Sequence, residues 1–462
     1  MVFSSNLFLF LFLPAVLLGY YLIRRELRNV WLLLMSLLFY AWGEPRAVFV
    51  MLASIALNYG CGLLLGRARE RRGLRRLLTV FAVAFNLGVL FYYKYASWLL
   101  NGTAGLLGRP AFIREIALPI GISFFTFQGM SYVLDVARGK AQPQKNPLHV
   151  ALYIALFPQL IAGPIVRYTD IESQLQERSI GAEDFAAGIR RFAVGLVKKA
   201  WLANTLGQVS SSISSAAAPT GTPAVYWLGI LCYTFQIYFD FSGYSDMAIG
   251  LGRMFGFRFC ENFDHPYIAS SITEFWRRWH MSLSTWFRDY VYIPLGGSRR
   301  GNRSLHLLTV FFLTGLWHGA SLNYVLWGLW WGVLLVLEKP LLDKGILRRV
   351  PTVLRWAGTM LLVVFGWLIF RFEDFSQGLM YLRGMFGGAG TPSLALGWYL
   401  DGWIGLTLGA GVLASLPWNA WLEKRGRQIP MPLLNAGAAA LLVIGIVMCL
   451  SSSYNPFIYF RF

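Results

Sequence analysis

The sequence predicts an all-α, polytopic integral membrane bundle, and three observations predict it. Apolar stretches long enough to cross about 30 Å of hydrocarbon recur from one end of the chain to the other. Of the 462 residues, 56% are hydrophobic and only 14% are charged. Mean hydropathy is +0.52. A soluble core of this length would carry polar connections throughout, so lipid must supply much of the solvent. One membrane domain covering residues 1–462 is expected.

Crossings are read by length and their orientation by the Lys/Arg bias of cytoplasmic loops. The first runs over about 7–23 and is followed by Arg24, Arg25 and Arg28, which puts the start of the chain outside. It lacks the basic n-region and small-residue cleavage site of a signal peptide, so it is expected to stay attached. Crossings near 30–42 and 47–65 lead into the loop richest in arginine, with Arg67, Arg69, Arg71, Arg72, Arg75 and Arg76. Two more, near 77–95 and 118–133, end at Arg138, Lys140 and Lys145. The stretch His149 to Val166 is interrupted by Pro158 and by Gly163-Pro164. The bias is best met if that stretch dips in and returns, as a re-entrant element packed inside protein.

Crossings near 192–206 and 225–241 precede a basic, aromatic-rich stretch from Arg253 to Arg303. Two apolar runs, 305–317 and 322–338, then form a hairpin turning over His318 to Asn323. Crossings near 353–369, 398–416 and 434–450 bring the total to about twelve, with both termini outside.

The net charge of +19 sits in short clusters between these runs, not along one solvated face. It marks topology and contact with anionic membrane lipid, and excludes nucleic acid as the expected partner. Cys61, Cys232, Cys260 and Cys449 are scattered without metal-ligand spacing, and His149, His265 and His306 are equally unconnected, so no metal site is expected.

His318 stands in the middle of the apolar hairpin, in Gly315-Leu316-Trp317-His318-Gly319-Ala320. An imidazole titrates near neutral pH and can take a proton from a hydroxyl nucleophile; burial keeps it neutral, and the flanking glycines leave room for a substrate. An interhelical hydrogen bond is the competing use of such a histidine. The cost of an ionisable group at membrane depth tips the balance toward function. In Tyr238-Phe239-Asp240-Phe241-Ser242-Gly243-Tyr244-Ser245-Asp246, Asp240 and Tyr244 share a helical face and Asp246 does not, so Asp240 reads as a residue that orients a partner or as a hydrogen-bond hub. In Glu274-Phe275-Trp276-Arg277-Arg278-Trp279-His280-Met281-Ser282, Trp276 and Trp279 fall with Leu283, Trp286 and Tyr290 on one face of an amphipathic interfacial helix. Arg277 and Arg278 lie off that stripe, free to meet a phosphate-bearing donor or an acidic carrier. No GxSxG elbow, Walker loop or dinucleotide fingerprint is present.

Three runs, Gln236 to Asp246, Phe275 to Ser282 and Leu316 to Ala320, resemble the membrane-bound O-acyltransferase (MBOAT) family, and the opening Met1 to Asn6 and closing Pro456 to Phe462 resemble its bacterial, polysaccharide-acetylating branch. The resemblance implies a bundle pierced by a funnel or tunnel, with the family's invariant histidine at His318 and the branch's second histidine at His280. It implies acetyl-CoA or an acyl-carrier thioester as donor, with no bound cofactor. It implies an acceptor such as alginate or a similar exopolysaccharide, a periplasmic acetyltransferase and secretion complex as partners, and a cytoplasmic acyl-donor protein as a further partner. Asp240, Tyr244 and Asn323 would support the chemistry, Asn323 by steadying the oxyanion. Arg461 departs from the neutral polar residue expected there. Peptidoglycan O-acetylation and D-alanyl transfer to teichoic acid fit the same fold. A polysaccharide or ion transporter is the alternative from another class, disfavoured by the lack of internal symmetry; a non-catalytic scaffold is the third.

Overall fold

A backbone in hydrocarbon has no water to satisfy its amides and carbonyls, so helices are what apolar stretches of this length form. The computed structural model describes residues 1–113, 116–215, 221–388, 395–452 and 454–458, and for residue 348 the backbone alone. Within them the chain is built of helices and their connections. It divides into two compact units, Met1–Phe192 with Ser245–Cys260, and Ala193–Tyr244 with Glu261–Phe462.

In the first unit lie α1 (Leu13–Leu22), α2 (Arg28–Gly43), α3 (Ala47–Arg67), α4 (Arg72–Leu106), α5 (Ile122–Ala137), α6 (Pro147–Ala155), α7 (Phe157–Leu160) and α8 (Tyr168–Gln176), followed by most of α9 (Ala182–Val197). Helix α5 is buried along almost its whole length and packs on α3 and α4. Asn58 of α3 and Asn86 of α4 exchange side-chain hydrogen bonds of 3.2 and 2.9 Å, a polar clamp between two apolar helices. A Cβ on Gly129 of α5 would stand 2.5 Å from the Asn58 amide, so a glycine is what lets α5 approach that clamp. The interrupted stretch breaks where its prolines and Gly163 lie, into α6, α7 and a non-helical segment. Residues 152–166 are buried throughout, which is the condition under which irregular backbone survives at membrane depth.

The second unit holds α10 (Asn204–Ser214), most of α11 (Pro223–Met254), α12 (Ile272–Arg278), α13 (Met281–Phe287), α14 (Arg303–His318), α15 (Leu322–Asp343), α16 (Ile346–Arg349), α17 (Thr352–Arg371), α18 (Phe375–Met385), α19 (Gly402–Ala414), α20 (Trp418–Lys424) and α21 (Met431–Ser451). The expected hairpin is present as α14 and α15, and glycines set its closeness. A Cβ on Gly315 would fall 2.3 Å from the Tyr324 carbonyl oxygen, and one on Gly328 2.3 Å from that of Phe311. Small residues facing each other let two membrane helices touch backbone to backbone. The glycines beside His318 therefore admit α15 and not a substrate: even the Cβ position of Gly319 is occupied by the Tyr324 ring, 2.3 Å away.

The interfacial helix expected over 274–290 is two helices, α12 and α13, broken at Trp279-His280, where His280 takes a left-handed backbone with φ of 45°. Its tryptophans are core and not headgroup anchors. Phe275 stacks 5.3 Å from Trp331 of α15, and Trp279 lies 4.7 Å from Trp367 of α17. Periodicity reports that a face is apolar, and a lipid-facing stripe and a protein-facing stripe have the same period.

Five helices are long and apolar enough to cross a membrane among the described residues: α3, α4, α15, α17 and α21. Helices α2, α5 and α14 occupy expected crossings with 16 residues each, about 24 Å of rise against roughly 30 Å of hydrocarbon.

Candidate active site

His318 is the last residue of α14, buried to 3% exposure. Three aromatic rings meet its imidazole edge to face: Trp317 at 5.0 Å, Trp327 of α15 at 4.9 Å and Phe370 of α17 at 5.2 Å between centroids. The hairpin delivers the imidazole and α17 closes the third side. Asn323 fixes this closure, because its amide nitrogen donates to the Phe370 carbonyl at 3.2 Å and faces that of Ile369 at 3.4 Å. The amide expected to steady an oxyanion is thus committed to the backbone of α17.

His280 enters the same aromatic shell from the α12–α13 break. Its ring lies 6.0 Å from that of Trp317, so one indole neighbours both imidazoles, and Phe241 of α11 covers it at 4.6 Å. Its tautomer follows from its partner. Asn262 Oδ1 accepts from the Ser282 backbone N–H at 3.3 Å and from the Ser282 hydroxyl at 2.8 Å, which identifies that atom as the amide oxygen. His280 Nδ1, 3.0 Å from the same oxygen, must therefore carry its proton, and the neutral ring bears its lone pair on Nε2. Burial pushes this imidazole down to about 3, so it stays neutral at physiological pH.

Asp240 and Tyr244 do share a face of α11, as the spacing predicts, and that face meets the C-terminal segment. Asp240 accepts from the Ile458 backbone N–H at 2.8 Å and pairs with Lys199 at 2.6 Å; both side chains are almost fully buried. Lys199 also donates to Asn204 at 3.0 Å and to the Pro456 carbonyl. The Tyr244 ring lies 4.7 Å from that of Phe457. Asp240 and Lys199 thus hold residues 456–458 against α11. Residues 459–462, including Arg461, lie outside the described residues.

Arg277 is exposed. Arg278 is engaged with Glu274 at 3.1 Å and Asp264 at 2.8 Å. Glu338 near the end of α15 was not singled out by sequence, yet its carboxylate accepts from the Ile272 and Thr273 backbone N–H groups at 2.6 and 2.8 Å and from the Thr273 hydroxyl at 2.6 Å. It pins the start of α12 to the hairpin, and so sets where His280 stands relative to His318. A glutamate ending an apolar run was the available signal. Lys199 and Asn262 were missed for the same reason: each earns its role from a partner 41 or 18 positions away.

A cavity of about 90 Å³ adjoins this shell, lined by polar groups of Tyr233, Gln236, Arg371, Glu373 and Tyr454. Phe370 and Tyr324 belong to both its wall and the packing around His318. Among the described residues, no cluster of three or more His, Cys, Asp or Glu side chains has the arrangement of a metal site.

A buried imidazole at the tip of a glycine-packed hairpin, a second imidazole against the same Trp317 indole and a polar cavity walled in part by Phe370 lie together in the second unit. The profile of the membrane-bound O-acyltransferase family matches residues 122–381, a stretch that contains both histidines, and the chain belongs to that family. It is an O-acyltransferase of the membrane.

The relatives narrow the class. The chain is 46% identical over 393 residues to the probable alginate O-acetylase AlgI of Pseudomonas putida, covering 84% of this chain and 80% of that protein. It is 46% identical over 392 residues to the probable alginate O-acetylase AlgI of Pseudomonas aeruginosa, covering 84% and 75%. The peptidoglycan O-acetyltransferase of Helicobacter pylori is 33% identical over 425 residues, covering 84% and 80%.

Proposed function

We propose that this O-acyltransferase acetylates an exported polysaccharide, alginate or a similar exopolysaccharide, with His318 as the general base. The observation that carries the proposal is the position of His318: an imidazole desolvated by three aromatic rings, one of which, Phe370, also walls a polar cavity. The acceptor hydroxyl approaches through that cavity as Phe370 turns aside. His318 takes its proton while the oxygen attacks the thioester carbonyl; the new C–O bond forms, the C–S bond breaks, and the thiolate leaves and is protonated. The desolvated surroundings strengthen every dipole acting on the oxyanion. His280, with its lone pair on Nε2, supports the site from the other side of Trp317.

The donor in this reading is acetyl-CoA or an acyl-carrier thioester on the cytoplasmic side of a bacterial inner membrane. A periplasmic acetyltransferase and a polysaccharide secretion complex are the partners. Asp240 and Tyr244 act indirectly by seating residues 456–458, and Arg277, the exposed member of the arginine pair, remains the candidate contact for the donor. Residues 1–462 work as one catalytic domain. The alginate acceptor is favoured over peptidoglycan by the higher identity to the relatives named for alginate, 46% against 33%.

The test is transfer of radiolabelled acetyl from acetyl-CoA to polymannuronate in proteoliposomes, with and without the partner acetyltransferase. His318→Ala, inserted in normal amount, loses about 100-fold to 10,000-fold of the transfer, the range expected for removal of a general base. Undiminished transfer overturns the assignment of His318, and glycan flux without acetylation overturns the enzymatic reading in favour of a transporter.

A further inference from the structure

Helices α3 and α4 are both long and apolar enough to cross a membrane. Where they join, at the face that the Lys/Arg bias assigns to the cytoplasm, a recess of about 710 Å³ opens against the end of α5. Five cations line it: Arg67, Arg69, Arg75, Arg138 and Lys145. Among the described residues, no carboxylate does. The bias in loop composition explains why cations lie on this side, but not why separate segments fold five of them around one hollow.

The hollow is built. The loop from Gly139 to Lys145 is pinned by Lys140 N–H to the Asp135 carbonyl at 2.9 Å, by Gln144 N–H to the Tyr132 hydroxyl at 3.1 Å, and by the Tyr59 hydroxyl to the Lys145 carbonyl at 2.7 Å. Gly66 gives Pro143 of that loop room to lie against α3, since a Cβ there would meet the proline ring at 2.5 Å. Arg75 is held by a bond to the Ala137 carbonyl. Leu63 and Leu65 of α3 and Val136 of α5 supply apolar surface beside the cations.

We propose that this recess binds the headgroup of an anionic phospholipid carrying two phosphates, with its acyl chains lying along the spanning part of α3 and α4. Several guanidinium groups around one hollow, with no carboxylate among its lining residues, suit phosphate oxygens, and basic pockets between membrane helices on this face hold such headgroups. The volume exceeds what one phosphate fills. The leucines and the helix ends at the bilayer surface favour a lipid over a soluble phosphate. Every lining residue belongs to the first unit, whereas His318, His280 and Asp240 belong to the second, so the site is additional to the acyl-transfer residues.

The test uses the full chain in nanodiscs of phosphatidylcholine doped with diphosphatidylglycerol or with phosphatidylglycerol, read by retained lipid in native mass spectrometry. Wild-type protein is expected to retain diphosphatidylglycerol in preference to phosphatidylglycerol. The Arg67→Gln/Arg69→Gln/Arg138→Gln variant loses about a hundredfold in affinity, from roughly fivefold per basic side chain near an anionic surface. The control Arg71→Gln/Arg72→Gln/Arg76→Gln removes the same charge at the start of α4, outside the recess, and retains the lipid. Equal loss in both variants, no preference between the two lipids, or displacement of the lipid by millimolar pyrophosphate or coenzyme A overturns the proposal, the last by assigning the recess to a soluble anion.

Discussion

Replacing Asn262 by alanine isolates the part of the site that acts through orientation. The change removes the oxygen that accepts from His280 Nδ1 at 3.0 Å, from the Ser282 amide at 3.3 Å and from the Ser282 hydroxyl at 2.8 Å, all in a fully buried setting. Taking the acceptor from a buried donor costs about 1 to 3 kcal/mol each. The His280 backbone has φ of 45°, a conformation of non-glycine residues that persists only when neighbours enforce it, at a cost of about 1 to 3 kcal/mol. With Asn262 gone, the ring is expected to lose its fixed tautomer and to shift by up to about 1 Å, which at a catalytic site lowers the rate roughly a hundredfold. The assay is acetyl transfer in proteoliposomes at equal amounts of inserted protein. Asn262→Asp restores the acceptor and adds a charge that raises the imidazole pKa from about 3. Its transfer is therefore expected to recover above neutral pH and to fall on the acid side, a pH dependence that a purely structural role would not produce. Wild-type rates in Asn262→Ala would refute the orientation argument.

Lys199→Met is expected to destabilise by about 3 to 5 kcal/mol, because it strands the buried Asp240 carboxylate 2.6 Å away; adding Asp240→Asn should recover most of the loss, as read by thermal unfolding in lipid nanodiscs. Acid should weaken the fold through His280. Its pKa is lowered in the folded chain to about 3, so between the ordinary histidine value of about 6.5 and that value the unfolded state binds the extra proton. Stability then drops by about 1.4 kcal/mol for each unit of pH lost in that window. His280→Gln should flatten this limb, and an unchanged slope in the melting temperature from pH 6.5 to 4.5 would count against it.

Much of the candidate site was legible in local sequence. His318 could be found because an ionisable residue in the turn of an apolar hairpin is conspicuous, and the hairpin is a contiguous stretch whose two halves have nowhere to go but against each other. Asp240 and Tyr244 could be placed on one face because four residues make about one helical turn. The reading failed where a residue's meaning depends on what lies opposite it. The stripe of Trp276, Trp279 and Trp286 has the period of an interfacial anchor, yet it is buried, and Trp276 and Trp279 meet the aromatic residues of α15 and α17. The glycines beside His318 suggested space for substrate, and that space is taken by Tyr324.

By itself the amino-acid order determined that this is an all-helical membrane protein and which histidines to suspect, since hydropathy, span length and motif are properties of neighbours along the chain. Only the tertiary structure decided that Asn262 sets the tautomer of His280, that Lys199 and Asp240 grip residues 456–458, that Glu338 ties α12 to the hairpin, and that five cations surround one recess. The physical reason is common to all four. Electrostatic and hydrogen-bonding roles are properties of pairs, and in a packed bundle the partner stands on another helix, at a distance along the chain that no local pattern encodes.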